Sequence, residues 1–178
     1  MNDNQHLFLE IPNESHEKAY TEMMDRWEAT GDKVAPQLLG RYSSKLNGNV
    51  SYSRWLEWCE DDRTTGSALS TKVPCTLYFL MNDCGEILGS IVVNHSNTRR
   101  GHLHAGITPW NRNKGYGSIM LKLALDKCKA MGMSKVDIVP NKYNEAAIKL
   151  ILKNGGILID EFYDEDILSL KYSIELQI

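Results

Sequence analysis

The period of the chain changes across one short turn, and that change constrains the fold more than any other feature. "GHLHAGITP", residues 101–109, alternates apolar and polar positions and reads as a strand that Pro109 ends. From Gly117 to Gly132, Met120, Leu121, Ala124, Leu125 and Cys128 recur at helical spacing. Between them lies "NRNKGYG", with two cations and two glycines. Glycine lets a backbone approach a ligand closely and adopt conformations that a side chain forbids. A helix mouth offers unpaired N–H groups and the positive end of the dipole. A strand that feeds a cationic glycine turn into a helix is therefore built for an anion, and phosphate is the obvious one.

The remaining elements follow from the same rules. Leu7–Ile11 reads as a first strand, ended by Pro12. "NESHEKAYTEMMDRWEA" reads as a helix capped by Ser15, with Ala19, Met23 and Trp27 on one face. "SYSRWLEWCEDDRT" is a second helix, with Trp55, Leu56 and Cys59 as its stripe. The segments 30–49 and 64–74 read as loops, the first holding a helical turn. Two apolar runs flank "NDCGE" and predict a hairpin over residues 75–95. "KVDIVP" is a short buried strand. Residues 144–154 form a helix stopped by Gly155-Gly156, and 157–177 give two terminal strands. The order is strand, two helices, three strands, helix, strand, helix, two strands. That is an α/β fold around a mixed central sheet of about seven strands flanked by helices.

Bulk properties narrow the function classes. The 178 residues suffice for one domain with a substantial core. The net charge of -3 argues against bulk attraction to nucleic acid or to an anionic membrane. The four cysteines are dispersed without a C-x-x-C pair, so no zinc site is expected, and reduced intracellular thiols are the simplest reading. The first residues show no leader pattern, and no apolar run approaches the roughly 20 residues of a membrane span. A cytoplasmic protein is expected.

Known phosphate turns separate clearly at this site. A Walker A loop, G-x-x-x-x-G-K-[ST], fits nowhere. A dinucleotide fingerprint would need a glycine where Met120 stands. R-x-x-G-x-G between a strand and a helix fits at Arg112, Gly115 and Gly117. That pattern resembles the acetyl-CoA pyrophosphate loop of the GNAT N-acetyltransferases. "IVPNKYNEAAIKLILKNGG" is similar to the second signature of that family, with Asn144 at its asparagine and Ala147 at its small residue. The element order also resembles the GNAT fold, and the segment 101–156 resembles a bacterial branch of predicted acetyltransferases.

The resemblance implies roles for particular residues. Amides of Arg112, Asn113, Lys114, Gly115, Tyr116, Gly117 and Ser118 would hold the pyrophosphate of acetyl-CoA. The preceding strand would splay from its neighbour at the acetyl-CoA site, and Ile107 and Thr108 would bind the pantetheine arm. A strand amide near Ile107 would polarise the thioester carbonyl. Asn144 and Ala147 would contact the cofactor, although asparagine is also a strong N-cap. Many family members carry a tyrosine that protonates the departing thiolate, and Ile151 stands at that position here.

His102 and His104 are the candidate bases. They sit two apart on one strand face and titrate near neutral pH. The branch it resembles carries a histidine at the position of His102 and usually glycine at that of His104. The expected arrangement is one N-acetyltransferase domain over residues 1–178. Acceptor-side helices would occupy about 15–70 and an acetyl-CoA core about 75–156. The acceptor would be a primary amine of a small molecule, peptide or protein, with no metal. Edge-strand pairing would make a homodimer. A second reading, an acyl-CoA-binding sensor without turnover, stays open.

Overall fold

A computed structural model describes residues 6–40, 50–66 and 73–177. The stretches 41–49 and 67–72 of the two expected loops, and residues 1–5 of the stretch read for a leader, lie outside the described residues. The elements are β1 (Leu7–Glu10), a 3-10 turn (Glu14–His16), α1 (Glu17–Ala29), α2 (Gln37–Gly40) and α3 (Tyr52–Thr64). Then come β2 (Cys75–Asn82), β3 (Ile87–Asn94), β4 (Leu103–Ile107), a 3-10 turn (Pro109–Asn111) and α4 (Tyr116–Ala130). The chain continues through β5 (Lys135–Ile138), α5 (Glu145–Lys153), β6 (Ile157–Asp164) and β7 (Ile167–Glu175). The helical turn expected in the first loop is α2. Among the described residues, no helix is long and apolar enough to cross a membrane.

Among the described residues, seven strands form two sheets, ordered β1-β2-β3-β4 and β5-β7-β6, with antiparallel ladders throughout. β2 and β3 are buried along their whole length, because helices cover both faces of the first sheet. On one face, Met23, Met24 and Trp27 of α1 and Trp55 of α3 pack with Leu77, Phe79 and Val92. On the other, Met120, Leu121, Ala124 and Cys128 of α4 pack with Leu80, Ile91 and Leu103. These are the apolar stripes read from helical spacing. All four cysteines are free, and burial pushes the Cys128 thiol up to about 11.

Ser15 does not cap the first helix: α1 starts from His16 without a side-chain cap, and the 3-10 turn before it is capped by Asn13, whose Oδ1 accepts from the Ser15 amide (3.0 Å) and hydroxyl (2.6 Å). Asn13, two residues before Ser15, starts the 3-10 segment that leads into α1, so the capped turn precedes the helix itself.

Among the described residues, the backbones of the two sheets meet at one seam. Gly101 forms an isolated bridge with Ile138. His102 N donates to Asp137 O at 2.7 Å, and Asp137 N donates back to His102 Nδ1 at 2.9 Å. Gly101 has φ +80, and an added Cβ would lie 2.5 Å from Asp137 O. Only glycine allows this approach. Beyond the seam, no ladder joins β4 to β5 among the described residues.

Gly106 is held just as tightly on the face of β4 toward α1. A Cβ there would fall on the Ala35 carbonyl, in the connection between α1 and α2. Gly106→Ala should lower unfolding free energy by about 1–3 kcal/mol through overpacking. Urea denaturation checks this, and an unchanged midpoint would mean that the connection shifts freely.

Candidate active site

The open edge of β4 follows from its register. Thr108 N donates to Leu88 O, and Asn94 N donates to His102 O. With Gly89 opposite Ile107 and Val92 opposite His104, Thr108, Gly106 and His104 are the residues bonded to β3. The alternate residues, Ala105 and Ile107, therefore turn their N–H and C=O groups away from β3, toward the parting between the sheets. The Arg112 Nε contact with Ile107 O, at 3.4 Å, agrees with that direction. Ala105, which the sequence reading passed over, belongs with Ile107. Thr108 does not: it is fully buried, and its amide and hydroxyl both donate to Leu88 O at 3.0 Å. The period-two pleat sends adjacent residues opposite ways, so Ile107 and Thr108 cannot both offer amides to the parting.

Next along the chain, the turn is preshaped for an anion. Asn113 (φ 61) and Gly115 (φ 83) both take left-handed conformations, and Gly115 is the N-cap of α4 without any capping side chain. Among the described residues, nothing accepts a hydrogen bond from the amides of Asn113, Lys114, Gly115 or Gly117. Left-handed residues in this alternation gather successive N–H groups into a concavity at the helix mouth. This donor set fits a pyrophosphate. The Ser118 amide is spent on Gly115 O at 3.1 Å. Ile107 and Leu150 flank Gly117, so the turn faces the same parting as the edge of β4.

The turn rests on a buried polar scaffold. Asn111, 4% exposed, donates from Nδ2 to Thr108 Oγ1 (3.0 Å) and to Glu86 Oε1 (3.2 Å). Its Oδ1 accepts from Lys114 Nζ at 3.0 Å. Arg112 reaches across to Asp32 Oδ2 at 2.5 Å, in the connection between α1 and α2. Arg26 of α1 lies 4.1 Å over the ring of Trp110. The two cations of the turn thus have protein partners, and the amides carry the free donor capacity. Neither Asn111 nor Asp32 carried a signal in the sequence, because each matters through a neighbour that only the fold supplies.

Both histidines are bound into the sheet. The Nδ1 of His102 accepts the Asp137 amide, so the neutral ring carries its proton on Nε2. His104 Nε2 lies 3.2 Å from Asn94 Nδ2, whose other bond, to Gly101 O, fixes that amide as the donor. His104 then carries its proton on Nδ1. In each ring the unprotonated nitrogen is already occupied. Burial lowers the pKa of both: Asp137 partly offsets it at His102, and Arg100 adds to it at His104. Asp137 is 2% exposed and bonds Asn97 Nδ2 (2.7 Å) and Lys171 Nζ (3.1 Å). Burial opposes its ionisation, but contacts from Ser173, Lys171 and Asn97 outweigh this and hold its pKa below the ordinary value.

Asn144 caps α5, its Oδ1 accepting from Ala147 N at 3.1 Å. That bond consumes the Ala147 amide. Ile151, 2% exposed, packs with Tyr172 and Ile174, while Leu150 turns toward Gly117.

With this geometry in hand, comparison with known proteins is decisive at the family level. Residues 37–156, more than half of the chain, match the acetyltransferase (GNAT) family. The chain belongs to the GNAT family. No curated protein matches it by sequence. Among solved structures it is similar to the spermidine N-acetyltransferase of Vibrio cholerae in complex with CoA and spermine. The TM-score is 0.65 at 11% identity, over 95% of each chain. It is also similar to yncA of Salmonella typhimurium with its cofactor acetyl-CoA, with TM-score 0.62 and 15% identity over 96% of this chain and 94% of that one. A GNAT acetyltransferase from Streptococcus pneumoniae matches at TM-score 0.59 and 16% identity, over 96% and 100%. At these identities the structural likeness concerns the fold.

This GNAT protein is an acyltransferase by family, and its α/β architecture with parted sheets is the one the family resemblance implied. The seam histidine gives it a distinctive pH response. The unfolded chain protonates His102 near its ordinary value of 6.5, whereas the folded chain does so only at lower pH. Stability from this group is complete above that value and is lost as pH falls through the folded pKa. Melting temperature should fall between neutral and mildly acid pH. His102→Asn, which keeps an acceptor near Nδ1 without a titrating ring, should flatten that slope. An unchanged slope would remove His102 as its source.

Proposed function

We propose that this protein transfers an acetyl group from acetyl-CoA directly to a primary amine of a small molecule, peptide or protein. The observation that carries this reading is a set of donors along one parting that have no acceptor among the described residues. The outward amides of Ala105 and Ile107 lead to the free amides of Asn113, Lys114, Gly115 and Gly117. Acetyl-CoA, when bound, supplies the acetyl thioester. The turn and the mouth of α4 hold its pyrophosphate, and the edge of β4 pairs with the pantetheine arm. The Ile107 amide, fixed by the β3–β4 ladder, donates to a carbonyl oxygen with no reorganisation when charge develops there. We further propose one N-acetyltransferase domain, with the acceptor bound between the helices before β2 and the open edge of β4.

Proton handling differs from the sequence expectation. The tautomers of His102 and His104 leave no free lone pair, so the amine loses its proton to water along the open edge. His102 is a positioning residue that fixes the seam. Ile151 is apolar and turned into the core, so the thiolate departs without a tyrosine acid from α5.

These two absences favour one further reading, an acyl-CoA sensor without turnover. Calorimetric titration with acetyl-CoA, followed by thiol release across an amine panel, separates the two. Binding with amine-dependent release is expected; binding without release for every amine would favour the sensor. Gly117 has room for a side chain, with the nearest atom 3.8 Å from an added Cβ. Gly117→Glu should therefore keep the melting temperature and lose CoA affinity by about a hundredfold or more, through repulsion at the anion turn. Retained affinity would show that the pyrophosphate binds elsewhere. His102→Asn should keep turnover within a few-fold with an unshifted pH profile. A tenfold loss with a shifted profile would restore His102 as the base.

A further inference from the structure

Two cations stand in the glycine turn after β4, and the fold holds them by partners of different kinds. Arg112 meets a carboxylate, Asp32 Oδ2, at 2.5 Å. Lys114 meets a neutral oxygen, Asn111 Oδ1, at 3.0 Å. Among the described residues, Lys114 forms no ion pair. An ammonium has three N–H donors, so two remain after the bond to Asn111. Lys114 therefore keeps its charge and most of its donor capacity.

Which end of the Asn111 amide faces Lys114 is decided from the turn between β2 and β3. The two hydrogens of Asn111 Nδ2 go to Thr108 Oγ1 (3.0 Å) and to Glu86 Oε1 (3.2 Å). The Thr108 hydroxyl spends its own proton on Leu88 O, so toward Asn111 it can only accept. Both neighbours thus demand the nitrogen, and Oδ1 is left for Lys114. A flipped amide would set its oxygen against the Glu86 carboxylate and its NH2 against the ammonium. Glu86 is held in its turn. Its Oε2 accepts from Asn82 Nδ2 at 3.3 Å. Asn82 is 2% exposed, and its Oδ1 accepts the amides of Cys84 and Glu86, each at 3.0 Å. One carboxylate and one amide therefore connect the β2–β3 hairpin to the ammonium of Lys114.

We propose that Glu86 is a positioning residue for the pyrophosphate of CoA, which holds Lys114 at the turn through Asn111 without neutralising it. The proposal rests on the acetyl-transfer reading of the turn. A lysine loses rotamer freedom when it grips an anion, so an anchor already in place lowers the cost of binding. A carboxylate in direct contact would also anchor the ammonium, but it would compete with phosphate for the same donors. An amide set between carboxylate and ammonium supplies the anchor and leaves the charge free to act. Glu86 itself stays one residue removed from the ligand.

Calorimetric titration of the full chain with CoA tests this relay. Glu86→Ala should weaken CoA binding about five- to tenfold, the size of one lost charge-assisted contact. The sign separates the relay from a simple field effect, because removing a carboxylate beside an anion site strengthens binding if only its charge matters. In a Lys114→Met background the same substitution should cost less than about twofold, since the group it positions is gone. A role confined to holding the hairpin would not depend on Lys114. Glu86→Gln keeps one acceptor for Asn111 and guards against a folding defect; its affinity should lie between those of the wild type and the alanine variant. Unchanged or tighter CoA binding by Glu86→Ala, or a loss that persists in full without Lys114, would overturn the proposal and leave the acetyl-transfer reading standing. A wild-type chain that binds no CoA would overturn both.

Discussion

The parting of β4 from β5 is the constraint on which the rest of the structure depends. Among the described residues, the backbones of the two sheets join at Gly101–Ile138 and His102–Asp137, and β4 and β5 then separate. A backbone edge left open inside a fold must satisfy its polar groups with water or a ligand. The seam makes this opening definite. Gly101 comes so close to Asp137 that a side chain would not fit, and the His102 ring takes the Asp137 amide that would otherwise be unpaired. Asn97 and Lys171 then hold the Asp137 carboxylate. This buried apex is the point from which the strands diverge.

The glycine turn after β4 is aligned with that opening through its supports. The 3-10 turn Pro109–Asn111 redirects the chain from β4 into the turn, and buried Thr108 and Asn111 hold it against the end of β3. The helical side of the molecule grips the same segment at three points: Arg26 on Trp110, Asp32 on Arg112, and Ala35 against Gly106. Each exposed contact is weak by itself. Together they link the helices that precede β2 to the turn that follows β4.

The fold decides which atoms of a predicted segment face the opening. Ile107 and Thr108 are neighbours in a strand, and the β3 register decides that Ile107 and Ala105, not Thr108, face the opening. His102 and His104 do share a face, as the pleat requires. Their tautomers, however, depend on Asp137 and Asn94, which are distant in sequence or on another strand. Arg112 is positioned by Asp32, eighty residues earlier. Ser15 caps nothing because a 3-10 turn capped by Asn13 precedes α1.

What the sequence by itself determined was periodicity and punctuation. The shift from alternation to helical spacing across "NRNKGYG", the glycines with their left-handed freedom, and the order of strands and helices are local properties. Local sterics and burial write them directly into the chain. Tertiary structure alone decided which amides remain unpaired and which histidine nitrogen holds the proton. Each of these depends on a partner brought in from another strand or loop. Hydrogen bonds and ion pairs are set by distances of a few tenths of an ångström, and no spacing along a chain encodes those distances.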